Sequence, residues 1–248
     1  MPAVPAWPPA STPRLFIDAP LSDGAEVPLD GAAAHYLAKV MRLKAGDPVR
    51  LFDDRTGEWL AEVMHVGKRD MLVRIVAKMA DREAVPDLWL LVAPIRKGRI
   101  DWVFEKACEL GAARIVPVLT RRTIVDRLNL DRLRAHMIEA AEQCGRTALP
   151  ALGEPVKLDA LLGAFPADRV LLFADEAGGA PFAEAARAGP AAILIGPEGG
   201  FTEEERAAIR ALPQARGLSL GPRILRADTA AVAAVTLWMA AAGDWKGG

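Results

Sequence analysis

Two hydrophobic periods divide this chain. From Arg14 to about Met79 the apolar residues come in short, mostly alternating runs, which predict half-buried strands at Arg14–Asp18, Ala25–Leu29, Pro48–Phe52, Glu58–Val63 and Asp70–Val76. One stretch departs from that rhythm: Tyr36, Leu37, Val40 and Met41 fall at helical spacing, so His35–Met41 reads as a short helix. Turn residues at Lys44–Asp47 and Asp53–Gly57 punctuate the strands, and the spacing implies a small β-barrel. The segment Asp81–Asp87 is charged, carries a proline and has no period, which marks a domain boundary. A first domain over residues 14–80 and a second over 86–248 are therefore expected.

Beyond Leu88 strands alternate with helices. Leu88–Ala93 is a continuous apolar run, the pattern of a strand buried on both faces. In the helix predicted over Ile100–Leu110, one face carries Ile100, Val103, Phe104, Ala107 and Leu110, and Gly111 stands at its C′ position. Strands follow at Arg114–Leu119 and Arg169–Phe173, with an amphipathic helix at Leu130–Gln143 and a short one after Pro181. This alternation predicts an α/β domain built on a parallel sheet.

Chemistry concentrates near the C-terminus. The buried run Ala191–Ile195 ends abruptly in Gly196-Pro197-Glu198-Gly199-Gly200, and a helix follows with Thr202 and Glu205 placed to form a capping box. Glycines there permit positive φ and close approach of a ligand. A strand, a glycine loop and a capped helix form the arrangement by which open α/β sheets bind ligands; a plain tight turn has the same local signature. Neither Walker nor dinucleotide spacing is present, and Glu198 with Glu203–Glu205 would repel a pyrophosphate, so a neutral or cationic ligand fits better. A second glycine exit, Gly221-Pro222-Arg223-Ile224-Leu225-Arg226-Ala227-Asp228-Thr229-Ala230, precedes a last helix of small residues running to about Ala241. Two such loops can wall one pocket.

Composition narrows the class. The chain has 248 residues, 52% hydrophobic and 25% charged, which describes a folded globular protein. Met1–Pro13 is rich in proline and alanine without the layout of a signal peptide, and reads as a loose tail. Cys108 and Cys144 fit no metal spacing and no disulfide framework, so no metal is expected and a reducing, cytoplasmic setting is. No run approaches the length of a membrane span, and no membrane partner is expected. The net charge of -1 hides an uneven distribution. Between Arg96 and Arg134 lie ten basic residues and five acidic ones, with Arg121–Arg122 directly after a strand. Such a patch contacts phosphates and sets affinity more than sequence preference; for any single residue a solvated charged face is the competing explanation.

Ile-Gly-Pro-Glu-Gly-Gly-Phe-Thr and Leu-Gly-Pro-Arg-Ile-Leu-Arg-Ala-Asp-Thr-Ala, in this order, resemble the 16S ribosomal RNA (uridine-N3) methyltransferases, the small-subunit methyltransferase E type of the SPOUT superfamily. His35–Asp47, Lys97-Gly98-Arg99 and Glu142–Arg146 also match that family, so the resemblance covers nearly the whole chain from Arg14. It implies an N-terminal PUA-like RNA-binding barrel and a SPOUT α/β domain with a deep trefoil knot. It also implies S-adenosyl-L-methionine as cofactor, 16S ribosomal RNA in the small subunit as substrate, and a homodimer. Leu172, Leu194, Gly196, Gly199, Gly200, Leu220, Gly221, Ile224, Leu225 and Thr229 are then the expected cofactor contacts. Lys39, Arg42, Lys44, Lys97, Arg99, Arg121, Arg122 and Arg146 are the expected RNA contacts.

Methylating N3 of uridine requires removal of its proton. Arg223 or Arg226 is expected to stabilise the resulting anion, and Asp228 or Glu198 to act as base; a helix-capping role for Asp228 stands beside that. The family commonly has Glu where this chain has Asp228, which keeps the charge and shortens the reach. Two alternatives remain open on sequence: the same chemistry on another RNA, and a noncatalytic RNA-binding or ribosome-assembly protein.

Overall fold

The structure, a computed structural model, describes residues 12–125, 127–175 and 178–247. The chain forms two compact units, one of residues 1–84 with 141–148 and one of 85–140 with 149–248. Of the tail expected at Met1–Pro13, residues 1–11 lie outside the described residues. The last two are anchored: Thr12 is buried, and the Pro13 carbonyl accepts a bond from the Arg50 amide at 2.9 Å.

In the first unit the elements are β1 (Arg14–Phe16), β2 (Glu26–Asp30), α1 (Gly31–His35), a π-helical turn (Tyr36–Val40), β3 (Pro48–Phe52), β4 (Glu58–Val66) and β5 (Asp70–Ala80). They build one five-stranded sheet of order β1-β3-β4-β5-β2, in which only the β1–β3 pair is parallel. Three register shifts between β4 and β5 increase the local twist and curve the sheet around its core. The alternation read from sequence places Val49, Leu51, Ala61, Val63, Val73 and Ile75 inward, where Leu37 from the π-helical turn joins them.

Two boundaries differ from the sequence reading. The helix begins at Gly31, before His35, because Ala32, Ala33 and Ala34 favour helix without contributing to the apolar spacing. β5 runs on to Ala80 with exposed side chains after Ile75, held by backbone pairing to β4 that no hydrophobic pattern reports.

Asp53 organises the turn before β4. Its carboxylate, 1% exposed, accepts from the amides of Leu21, Arg55 and Thr56 and from the Thr56 hydroxyl. Burial pushes its pKa up, but the Thr56 hydroxyl and the Leu21, Thr56 and Arg55 amides outweigh it and hold the carboxyl below the usual 3.8. The linked stability is fully present above the ordinary carboxylate value and is lost as pH falls through the depressed one. An Asp53→Asn variant is expected to be less stable at neutral pH by about 1–3 kcal/mol. That gap should narrow on acidification below about pH 4, as followed by urea midpoints measured across pH.

A buried cluster completes this unit. Arg14, 7% exposed, donates to Glu58 at 2.9 Å, to the Ala141 carbonyl at 2.6 Å and to the Arg146 carbonyl, and its guanidinium stacks 3.8 Å from the Phe52 ring centroid. Glu83 accepts from Arg146 Nε and from the Thr147 and Ala148 amides. These bonds are what tie residues 141–148 to the barrel strands.

The second unit begins with β6 (Leu88–Val92), α2 (Arg99–Glu109), β7 (Arg114–Leu119), α3 (Leu130–Cys144), β8 (Ala151–Leu152), β9 (Val156–Lys157) and α4 (Leu158–Gly163). It continues with β10 (Val170–Ala174), β11 (Ala180–Pro181), α5 (Phe182–Ala185), β12 (Ala191–Ile195), α6 (Glu203–Ala211), β13 (Ala215–Ser219) and α7 (Ala227–Ala241). The sheet is parallel throughout, in the order β11-β13-β10-β12-β6-β7-β8, with β9 also on β7. One face packs Leu91, Leu171, Phe173 and Leu194 against Phe201 and Ile209. Gly111 takes the C′ position of α2 with φ +98°. On α7, Ala230, Ala231, Ala234, Val235 and Trp238 are buried, and the small side chains let this helix lie close to α2, β6 and β12. The two-residue strands β8, β9 and β11 are too short to carry a period, and the sequence reading missed them. Among the described residues no helix is long and apolar enough to cross a membrane.

Candidate functional site

A cavity of about 650 Å³ opens at the carboxyl edge of the sheet. Its walls are the end of β10 (Ala174, Asp175), the glycine loop after β12, the segment from Ser219 to Arg226 after β13, and the first turns of α7 (Ala227, Ala230). Ligand sites of α/β sheets lie at this edge because strand ends and helix starts leave backbone groups unpaired there. The size is in the range of cofactor pockets.

Glycine is required in this loop at two points for different reasons. At Gly196 a Cβ would sit 3.1 Å from the Phe201 ring, so its absence lets that ring close the cavity floor. Gly200 has φ +68°, a left-handed conformation in which its N–H donates to the Pro197 carbonyl at 2.9 Å. The expected capping box on α6 forms: Thr202 Oγ1 accepts from the Glu205 amide and Glu205 Oε2 from the Thr202 amide.

The cavity brings together Gly196, Gly200, Leu220, Gly221, Ile224 and Leu225 with the charged Glu198, Arg223 and Arg226. Both glycine exits therefore meet at one wall-to-wall space. Glu198, Arg223 and Arg226 are exposed and have no ion pair or side-chain hydrogen bond among the described residues. One carboxylate and two guanidinium groups thus remain available to a bound molecule.

Other expected contacts lie elsewhere. Leu172 and Leu194 are 1% and 0% exposed, within the strands beneath the loops, and do not line the cavity. Gly199 turns its carbonyl to Arg122 at 2.6 Å. Asp228 and Thr229 sit in the first turn of α7 outside the lining. The N-cap of that helix is Arg226, not Asp228. Asp228 instead accepts from Arg99 at 2.6 Å and from the Thr229 amide at 2.9 Å. Its negative charge in the first turn also suits the helix dipole.

Asp175, Ser219 and Phe201 line the cavity and were not anticipated. Asp175 is buried and held by an ion pair with Arg210 of α6. A carboxylate directly after the apolar run of β10 was the available signal, since a polar residue at a strand's carboxyl end faces the ligand edge.

The basic residues separate into groups. Lys39, Arg42 and Lys44 are all exposed on the first unit, as is His35, and Arg42 holds φ +58°, an uncommon conformation for a residue with a side chain. Lys97, Arg121 and Arg122 are exposed on the second unit. Arg146 is the correction: at 5% exposure, with Glu83 on its Nε, it holds residues 141–148 in place and presents no face to RNA. Within Arg96–Arg134, Arg132 pairs with Asp101 and Lys106 with Glu105 and Glu109, acids of the same stretch, while Arg99 pairs with Asp228 outside it, so most of the basic excess stays unneutralised by these pairs. Asp126, counted among the acids there, lies outside the described residues. Glu204 is held below its usual pKa by the Thr202 hydroxyl, with Arg121 and Arg122 adding to the effect. Among the described residues no cluster suits a metal ion.

An RNA methyltransferase domain family matches residues 82–239, and an RNA methyltransferase PUA domain family matches residues 29–76. Ribosomal RNA small subunit methyltransferase E of Rickettsia conorii is 30% identical over 228 residues, spanning 90% of this chain and 93% of the relative. The crystal structure of a ribosomal RNA small subunit methyltransferase E from Neisseria gonorrhoeae, bound to S-adenosyl methionine, is 27% identical with a TM-score of 0.86. It covers 94% of this chain and 99% of the other. A methyltransferase from Legionella pneumophila, solved with its bound cofactor SAM, is 31% identical with the same TM-score and coverage.

Proposed function

The chain belongs to the ribosomal RNA small subunit methyltransferase E family, and from that membership we propose that it methylates N3 of a uridine in 16S ribosomal RNA. It is an S-adenosylmethionine-dependent ribosomal RNA methyltransferase with a PUA-like first domain and a SPOUT-type parallel sheet in the second. The observation that carries the reading to residues is the single cavity shared by the two glycine exits, with Glu198 on one and Arg223 and Arg226 on the other. When bound, the cofactor supplies a methyl group on a sulfonium centre. The bare backbone at Gly196 and Gly200 and the apolar Leu220, Ile224 and Leu225 fit an adenosine between them, and Asp175 and Ser219 add hydrogen-bond acceptors to the wall.

In this reading Glu198 accepts the N3 proton and Arg223 or Arg226 stabilises the uridine anion. Asp228 is better placed to hold Arg99 than to act as base, because its Oδ2 already accepts from Arg99 and the residue lies outside the cavity lining. Lys39, Arg42 and Lys44 on the first domain and Lys97 and Arg121 on the second are the proposed phosphate contacts. The domains are proposed as residues 14–80 and 86–248, the second carrying the family's trefoil knot. A homodimer acting in the cytoplasm on the small ribosomal subunit completes the proposal, and the nearly full exposure of Ile224 supports a partner surface beside the pocket.

Nucleoside mass spectrometry tests it directly. Small subunits lacking the modification, and protein-free 16S RNA in parallel, would be incubated with the protein and S-adenosylmethionine. New N3-methyluridine is expected in the subunit sample; another methylated nucleoside would move the target, and none, with cofactor bound, would reject the uridine assignment. A valine at Gly200 is expected to retain the fold and weaken cofactor binding about tenfold. A β-branched residue at positive φ costs on the order of 1–3 kcal/mol unless the loop moves. Calorimetric titration with S-adenosylmethionine reads the change.

A further inference from the structure

The turn after β7 and the glycine loop after β12 leave the sheet two strands apart, with β6 between them. They are nevertheless fastened to each other at two points. Glu205, only 8% exposed, accepts the Arg121 amide on Oε1 at 2.8 Å and the Thr202 amide on Oε2 at 2.9 Å. On the other side Arg122 Nη1 donates to the Gly199 carbonyl at 2.6 Å and reaches the Phe201 carbonyl at 3.4 Å. The turn that supplies these groups is itself closed, the Thr120 amide donating to Thr123 Oγ1 at 2.9 Å and the Thr123 amide to the Thr120 carbonyl at 3.1 Å.

A capping box needs one carboxylate oxygen of Glu205. The second oxygen goes to a different strand's turn, and burying a carboxylate to do so is costly unless both oxygens are bonded. The loop held by these fastenings from Gly199 onward contributes Gly196, Pro197, Glu198, Gly200 and Phe201 to the cavity, while Arg121, Arg122, Thr202 and Glu205 themselves stay outside its lining. A loop this rich in glycine has much backbone freedom to lose when it orders around a ligand. Fastening it beforehand shifts that cost from binding to folding.

We infer that Glu205 and Arg122 are positioning residues that preset the glycine loop and thereby set the affinity of the pocket for S-adenosylmethionine. The inference rests on reading the cavity as the cofactor site. It also gives Arg122 a task other than contacting RNA: one edge of its guanidinium is committed to loop carbonyls, and the missing Cβ of Gly199 leaves room for its stem, which a side chain there would meet at 3.3 Å.

Calorimetric titration of S-adenosylmethionine into wild type, Glu205→Gln, Arg122→Ala and Arg122→Lys tests this, alongside methylation kinetics on small subunits and melting curves. Glu205→Gln turns one acceptor into a donor facing an amide, and its Kd is expected to rise about tenfold. Arg122→Ala should raise Kd by about three- to tenfold, and Arg122→Lys, which keeps one donor for the Gly199 carbonyl, should recover part of that. KM for the cofactor should follow Kd while kcat at saturating cofactor stays within about twofold, since the loop reaches the same bound state. A purely structural role would lower melting temperature and active fraction and leave the Kd of the folded molecules unchanged, and that result overturns the inference. So does a Kd within about twofold of wild type in both Glu205→Gln and Arg122→Ala, or, where Glu205→Gln does not fold, in the exposed Arg122→Ala alone. Wild type that binds no S-adenosylmethionine would instead reject the cofactor-site reading beneath it.

Discussion

Replacing Arg223 with alanine is expected to lower kcat by about 100-fold, in line with the ~10²–10³ cost of removing one charge-stabilising donor from a catalytic site. Arg223 lines the cavity, is exposed, and among the described residues has no ion pair or side-chain hydrogen bond, so no contact within the protein accounts for it. Removing the proton from uridine N3 leaves a negative charge delocalised over the base, and a guanidinium at the cavity wall stabilises that charge more than the neutral ground state. Binding of S-adenosylmethionine should stay within about threefold of wild type, because an interaction made only in the transition state lowers kcat without changing ground-state binding. Single-turnover methylation of small subunits at saturating cofactor, compared with calorimetric cofactor affinity, separates the two effects. Full turnover with normal affinity would shift the role to Arg226, the other arginine on that wall.

The second large effect concerns stability. Arg14→Leu is expected to cost about 3–5 kcal/mol, the range for removing one partner of a buried pair. The variant leaves Glu58, itself 7% exposed, with Arg50 at 3.2 Å, and it removes the Arg14 donors from the Ala141 and Arg146 carbonyls. The stacking of the guanidinium on Phe52 is lost as well. Arg14→Lys retains charge without the planar fork that reaches a carboxylate and two carbonyls at once, and should fall between the two. Thermal melting is expected to shift down by roughly 6–20 °C in the leucine variant, at about 2–4 °C per kcal/mol for a chain of this size. A shift under about 2 °C would show that residues 141–148 are held by Glu83 without need of Arg14.

The sequence reading succeeded where physics is local. Alternation at Pro48–Phe52 and Glu58–Val63 marked strands because each side chain's fate depends on its immediate neighbours and one core face. The capping box at Thr202 and Glu205 was legible for the same reason: the residues that satisfy each other are three positions apart. The glycine exits were visible as motifs, and of the residues expected at the cofactor site Gly196, Gly200, Leu220, Gly221, Ile224 and Leu225 line the cavity. Leu172 and Leu194 do not, since neighbourhood to a loop in sequence gives no information on which side of a strand a side chain lies.

Partners far apart in the chain escaped the sequence reading. Arg99 and Asp228 stood as an RNA contact and a base, yet they are bonded to each other across 129 positions. Arg146 looked like any basic residue in a motif, and Glu83, 63 positions away, takes it out of solvent. Glu205 read as a helix cap, and its second oxygen serves the turn after β7. A charged side chain carries no mark of where its counter-charge will come from, so its burial and its pairing appear only when distant segments meet. By itself, then, the sequence determined the two periods, the strand and helix alternation, the glycine loops and the family to which they belong. Only the tertiary structure decided which charges face the cavity and which are spent on holding the protein together, because that depends on which strand ends the parallel sheet brings side by side.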